Sequence, residues 1–135
     1  KAMINEAVNQ LPTDLGAMLD AIKAKAPQVI IVLVTYPRVF PSDAASCSEL
    51  ELSADDTAYL AALGQKLEDA FVSATSSRQS LIADAYVRAE GHGPCAAADR
   101  WVNGANVADT GIRYHPTAMG HIAMARLVLA ALRSN

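Results

Sequence analysis

Tyr114-His115-Pro116-Thr117-Ala118-Met119-Gly120-His121 places an imidazole on a loop just before an expected helix start. Imidazole takes up a proton near neutral pH, and a loop residue next to a helix is held by the helix behind it. His115 therefore reads as a general base, or as a ring that caps or plugs the helix; position alone leaves both open. No Gly-Asp-Ser or Gly-x-Ser-x-Gly elbow precedes it, so a base is visible without the nucleophile it would serve.

The other candidates carry blander expectations. His121 falls inside the last helix and reads as a satisfied buried histidine. His92, in Gly91-His92-Gly93-Pro94-Cys95, reads as a loop organiser. Trp101, the single tryptophan, reads as an anchor for a long loop or as the wall of an apolar pocket. Asp84, Asp99 and Asp109 could orient His115, although turn, cap and solvated positions suit each of them. No histidine pair has the i, i+4 spacing of a helical metal site, and no metal is expected.

These side chains need a frame. Leu15, Met18, Leu19 and Ile22 follow the i, i+3, i+4, i+7 pattern of an amphipathic helix. Thr13 is placed to cap it, and Ala26-Pro27 to end it. Residues 2–8 are expected to be helical too, with Pro12 breaking the two segments or sitting in a first turn. Val29-Ile30-Ile31-Val32-Leu33-Val34 reads as a central parallel strand covered on both faces. A polar loop over 36–51 follows, then a helix capped by Ser53 with Asp56 and lined by Leu60, Leu63, Leu67, Phe71 and Ala74. A second strand is expected over 80–85, a long loop over 86–114, and a final helix from Pro116 or Thr117 to about Arg133.

Strand and helix in alternation predict an α/β fold, with parallel strands, right-handed crossovers and helices on both faces. Reactive groups in such sheets sit on loops at the carboxyl ends of the strands, and His115 ends one of the two long loops. Two strands are too few to cover a strand that is apolar on both faces. Further strands are therefore expected from a larger domain or from another chain.

At 135 residues and 52% hydrophobic content the chain has the size of one domain. A net charge of −3 with no basic block gives no reason to expect nucleic acid or an anionic membrane as partner. The longest aliphatic run has six residues, far short of the roughly 20 that span a bilayer. Cys47 and Cys95 both fall in Ser/Gly/Pro-containing loops where free thiols would be exposed. A bridge between them, in an oxidising compartment, is the favoured reading.

The strand ending in Thr35-Tyr36-Pro37, the Gly91–Cys95 loop, Trp101-Val102-Asn103-Gly104 and the Tyr114–His121 block together resemble the C-terminal half of an SGNH (GDSL-type) hydrolase. The likeness is strongest to secreted actinobacterial esterases and lipases, and it covers nearly the whole chain. It implies a three-layer α/β/α flavodoxin-like fold of which residues 1–135 form the C-terminal part of a single domain. It also implies serine-dependent hydrolysis of carboxylic esters without a cofactor, and a secreted or cell-envelope location.

The family's serine, glycine and asparagine would then come from an N-terminal portion. None of the serines in this chain, such as Ser42, Ser53 or Ser80, has the nucleophile's motif. His115 matches the family's base. Much of the family has an aspartate three residues before that histidine; Ile112 stands there in this chain. The resemblance then implies a Ser-His dyad in which the Ile112 carbonyl orients the ring, and it strengthens the Cys47–Cys95 bridge. The alternative reading is a non-catalytic secreted α/β binding module that keeps the fold.

Overall fold

The computed structural model describes residues 2–43, 47–107 and 111–135. It is built from α1 (Ala2–Lys25), β1 (Val32–Val34), a 3-10 turn (Ser48–Leu50), α2 (Ala54–Ser76), β2 (Leu81–Ala83), the short α3 (Ala85–Arg88) and α4 (Ala118–Arg133). β1 and β2 pair in parallel, with Val32 opposite Leu81 and Val34 opposite Ala83. α4 packs on both strands, α2 packs on β2, and α1 packs on α2. This is the α/β arrangement expected.

α1 differs from expectation in being one helix that runs through Pro12. Proline lacks the N–H that would bond back to Val8, and an interior proline costs a helix about 3 kcal/mol. Burial against α2 offsets that cost: Val8, Gly16 and Leu19 are all buried, Leu19 at 1% exposure. Thr13 is consequently mid-helix and caps nothing. Lys23 and Lys25 complement the carbonyl end of the dipole, and the Lys23 ammonium donates to the Val29 carbonyl at 2.6 Å. The chain turns at Ala26-Pro27 as expected.

Both strands are shorter than their apolar runs. Val29 and Ile30 stand outside the ladder and are exposed, Ile30 at 54%. The three residues of β1 are only half-buried, against the expectation of a strand covered on both faces. The reason is topological: among the described residues β1 has β2 on one edge and no strand on the other.

α2 begins where its cap predicts. The Asp56 N–H donates to Ser53 Oγ at 3.1 Å and the Ser53 hydroxyl donates to Asp56 Oδ2 at 2.7 Å. Its apolar stripe departs from expectation. Ala74 is buried, but Leu60, Leu63, Leu67 and Phe71 are not fully covered and line a cavity beside α1. The residue of α2 that is buried against the end of β1 is instead Glu68, at 4% exposure.

Cys47 and Cys95 form the expected disulfide, with Cα atoms 5.8 Å apart and a sequence separation of 48. The bridge ties the loop after β1 to the loop after α3. Arg38 reinforces the same junction: its guanidinium pairs with Glu90 at 2.9 Å, donates to Tyr86 Oη at 3.2 Å and lies 4.0 Å from the centre of the Tyr86 ring. Among the described residues no helix is long and apolar enough to cross a membrane.

Two consequences can be measured. Replacing both cysteines by serine releases a loop of about 49 residues in the unfolded chain, and denaturant unfolding should show a loss of about 4 kcal/mol. Glu68 is pushed up to about 6, first by burial and then by the nearby negative charge of Asp84, with a smaller contribution from Asp69; the Thr35 hydroxyl and the Arg38 charge pull the other way. A carboxyl whose folded pKa lies above its unfolded value keeps a proton that the unfolded chain releases. The stability that Glu68 contributes is therefore greatest below about 4.5 and falls as pH rises through about 6. Against Glu68→Gln, the wild-type unfolding free energy should drop by about 1–2 kcal/mol across that window.

Candidate functional site

The loop that carries His115 is built as a ribbon. Residues 101–104 run antiparallel to residues 114–117: Val102 bridges Pro116, the Asn103 N–H donates to the His115 carbonyl at 2.9 Å, and the Tyr114 N–H donates to the Gly104 carbonyl at 3.4 Å. The Trp101 carbonyl accepts the Thr117 N–H at 2.8 Å, and the Thr117 hydroxyl donates to the Arg100 carbonyl at 2.7 Å. Thr117 also caps α4, its Oγ1 accepting the Gly120 N–H at 3.0 Å. Gly120 lies so close to the Trp101 carbonyl that a Cβ there would collide with backbone. Glycine is what lets the first turn of α4 sit against the ribbon.

Tyr114 holds φ at +59°, a left-handed conformation that costs a bulky residue about 1–2 kcal/mol. Two hydrogen bonds hold it there. The Tyr36 hydroxyl, at the carboxyl end of β1, donates to the Tyr114 carbonyl at 3.0 Å, and the Tyr114 hydroxyl donates to the Leu50 carbonyl at 2.7 Å. Leu50 is fully buried. The residue before the histidine is thus pinned to the sheet on one side and to the disulfide-bearing loop on the other.

The His115 ring is exposed, with Nδ1 2.8 Å from the Arg113 carbonyl. A carbonyl can only accept, so the contact places the ring proton on Nδ1 and leaves the Nε2 lone pair available to take another. The orienting carbonyl belongs to Arg113, which corrects the expectation for Ile112. The Ile112 carbonyl is occupied instead by the His115 backbone N–H and the Asn103 side-chain amide, each at 3.2 Å. With residue 114 left-handed, the ring folds back to the carbonyl two residues away rather than three. A lone tyrosine offers no sequence signal for that turn.

Of the three aspartates considered, Asp84 caps α3, accepting the Val87 N–H at 2.9 Å. Asp99 enters through its main chain, its carbonyl lying 3.0 Å from His92 Nδ1. Asp109 lies outside the described residues. His92 stacks on Trp101, ring centres 4.7 Å apart and planes 11° from parallel, and its carbonyl accepts the Trp101 N–H at 2.8 Å. That pair clamps the long loop and makes Trp101 an anchor; it is not on the wall of the apolar cavity. His121, expected to be buried, is exposed on α4.

Candidate serines lie elsewhere. The Ser42 hydroxyl donates to Glu90 at 3.0 Å, Ser53 caps α2, and Ser80 precedes β2, at the end of the strands remote from His115. The site so far described is an exposed imidazole whose Nδ1 is held by a main-chain carbonyl at the carboxyl end of a parallel sheet.

No family model matches the chain. Lipase 2 of Streptomyces coelicolor is 30% identical over 127 residues, which are 92% of this chain and 43% of that protein. Two solved structures share its fold at 23% identity, each matching 96% of this chain and 56% of its own: phospholipase A1 from Streptomyces albidoflavus, at a TM-score of 0.78, and an extracellular lipase from Streptomyces rimosus, at 0.72. The chain spans about half the length of the proteins it matches. Across more than nine-tenths of its residues it is similar in sequence to a Streptomyces lipase and shares its fold with two further Streptomyces enzymes, the group whose likeness the His115 block first carried.

Proposed function

We propose that this chain is the C-terminal part of a secreted SGNH-type ester hydrolase and supplies its general base, His115. The observation that carries the reading is the ring's geometry: Nδ1 held by the Arg113 carbonyl at 2.8 Å, with Nε2 free at the carboxyl end of the sheet. The likeness to Lipase 2, and the fold shared with a phospholipase A1 and an extracellular lipase, supports ester hydrolysis as the reaction class. The Cys47–Cys95 bridge supports an oxidising compartment.

In this reading an N-terminal portion of the same domain packs on the open edge of β1, beside Val29 and Ile30, and brings the serine, glycine and asparagine. His115 Nε2 takes the serine proton as the serine oxygen attacks the ester carbonyl, while the glycine and asparagine donors receive the oxyanion. The C–O bond to the alcohol then breaks, and Nε2 returns the proton to the departing alkoxide. Water repeats the sequence on the acyl-enzyme, its proton passing to Nε2 and then to the serine as the acid leaves. The Arg113 carbonyl steadies the imidazolium through a dipole, a weaker aid than a carboxylate. No step calls for a cofactor.

Expressed within the longer polypeptide that this reading calls for, His115→Ala should lower kcat/KM by about a thousandfold and abolish labelling by a fluorophosphonate. The label should sit on a serine outside residues 1–135. Asn replacements at Asp84, Asp99 and Asp109 should each leave turnover within a few-fold of wild type. Labelling on Ser42, Ser53 or Ser80, or collapse of activity in one of the aspartate variants with the fold intact, would sink the dyad. A polypeptide that has no reactive serine at all is instead the non-catalytic module.

A further inference from the structure

Between α1, α2 and the chain leaving β1 lies a cavity of about 480 Å³, within the range that holds a small ligand. Leu11 of α1, Leu63 and Phe71 of α2, and Phe40 after β1 give it apolar walls. The polar groups on its surface have partners, with one exception. Tyr36 Oη donates to Tyr114, Tyr86 Oη accepts from Arg38, and Thr35 Oγ1 accepts the Tyr86 N–H at 2.9 Å. Glu68 is 96% buried, and neither of its carboxyl oxygens closes a hydrogen bond among the described residues.

A buried carboxyl that lines an apolar space, with only the nearby Thr35 hydroxyl and Arg38 charge to steady it, is under-satisfied and calls for an explanation. An apolar ligand with a single hydrogen-bonding group near its buried end matches both the walls and the floor. A hydroxyl suits the site better than an ammonium, because it can be desolvated at far smaller cost. It can also donate to the carboxylate or accept from the neutral acid, so one ligand serves either protonation state of Glu68.

One lining residue also touches the loop that carries the histidine. Tyr36 lines it and, through its hydroxyl, holds the carbonyl of the residue before His115. We propose that this cavity receives the acyl chain of the substrate and that Glu68 selects acyl chains carrying a hydroxyl. The assignment of the occupant as an acyl chain rests on the ester-hydrolase reading above.

The test reads binding without turnover. The protein is titrated calorimetrically with dodecanoate and with a set of monohydroxydodecanoates that differ in hydroxyl position, all below micelle-forming concentrations. At least one hydroxy isomer should bind about tenfold more tightly than dodecanoate, the gain expected of one hydrogen bond to a charged group. Glu68→Leu replaces the carboxyl by an apolar side chain of similar size; it should erase the preference while still binding dodecanoate. Ala61→Leu, which places bulk on the cavity wall, should weaken binding of every chain. Equal binding of all the acids, no binding, or a preference that survives in Glu68→Leu overturns the proposal. Because no ester is cleaved in these titrations, failure of the hydrolase reading would appear separately, as wild-type protein that binds the acids and turns over no ester.

Discussion

The histidine end of the molecule depends on the main-chain carbonyl of Trp101. That one oxygen accepts the Thr117 N–H and lies against Gly120, and so fixes both the ribbon that carries His115 and the start of α4. Trp101 is itself held by stacking on His92 and by the His92 carbonyl. Separate stretches of one long loop are thereby tied into a platform at the carboxyl end of the strands. A side chain at position 120 would lift α4 away from this platform and move the ring with it, which accounts for the glycine more directly than any conformational freedom inside a helix.

The elements were legible in the sequence wherever a local signal was self-sufficient. Ser53 with Asp56, and Thr117 before Ala118, mark helix starts because a cap satisfies donors within three residues of itself. The parallel pair and the disulfide followed from alternation and from loop composition. The places where reading failed are those settled by tertiary contact. Pro12 signals a break, yet packing of Val8, Gly16 and Leu19 on α2 carries the helix through it. The leucine stripe of α2 has the periodicity of a core, but periodicity gives a face and not what the face meets; it meets a cavity.

The site shows the same division. His115 was legible as a residue, since an imidazole before a capped helix is a recognisable arrangement. Its orienting partner was not, because a carbonyl has no residue type to read. Counting back along the chain gives Ile112 only if the turn has ordinary backbone angles. Tyr114 departs from them under two hydrogen bonds from residues far away in sequence, and the ring meets Arg113 instead. Glu68 carries no signal for a related reason: a glutamate on a long helix reads as solvated, and its burial beside Thr35 at the end of β1 is a product of the tertiary fold.

An imidazole held by a carbonyl differs in kind from one held by a carboxylate. A carboxylate contributes charge and can lose it by protonation, so ring orientation and imidazolium stability both vary with pH. The Arg113 carbonyl contributes a smaller, permanent dipole with no proton to gain. What it supplies is direction, and direction is only as good as the rigidity of the backbone behind it. The hydrogen bonds from Tyr36 to Tyr114 and from Tyr114 to Leu50 meet that need, anchoring the strained residue between the orienting carbonyl and the ring to the sheet and to the disulfide-bearing loop. In a site of this design, the energy that an aspartate would provide electrostatically is replaced by backbone held in place through packing. The tolerance of this ring geometry to mutation should therefore be set less by nearby charges than by the hydroxyl contacts and the Gly120 approach that keep its turn from relaxing.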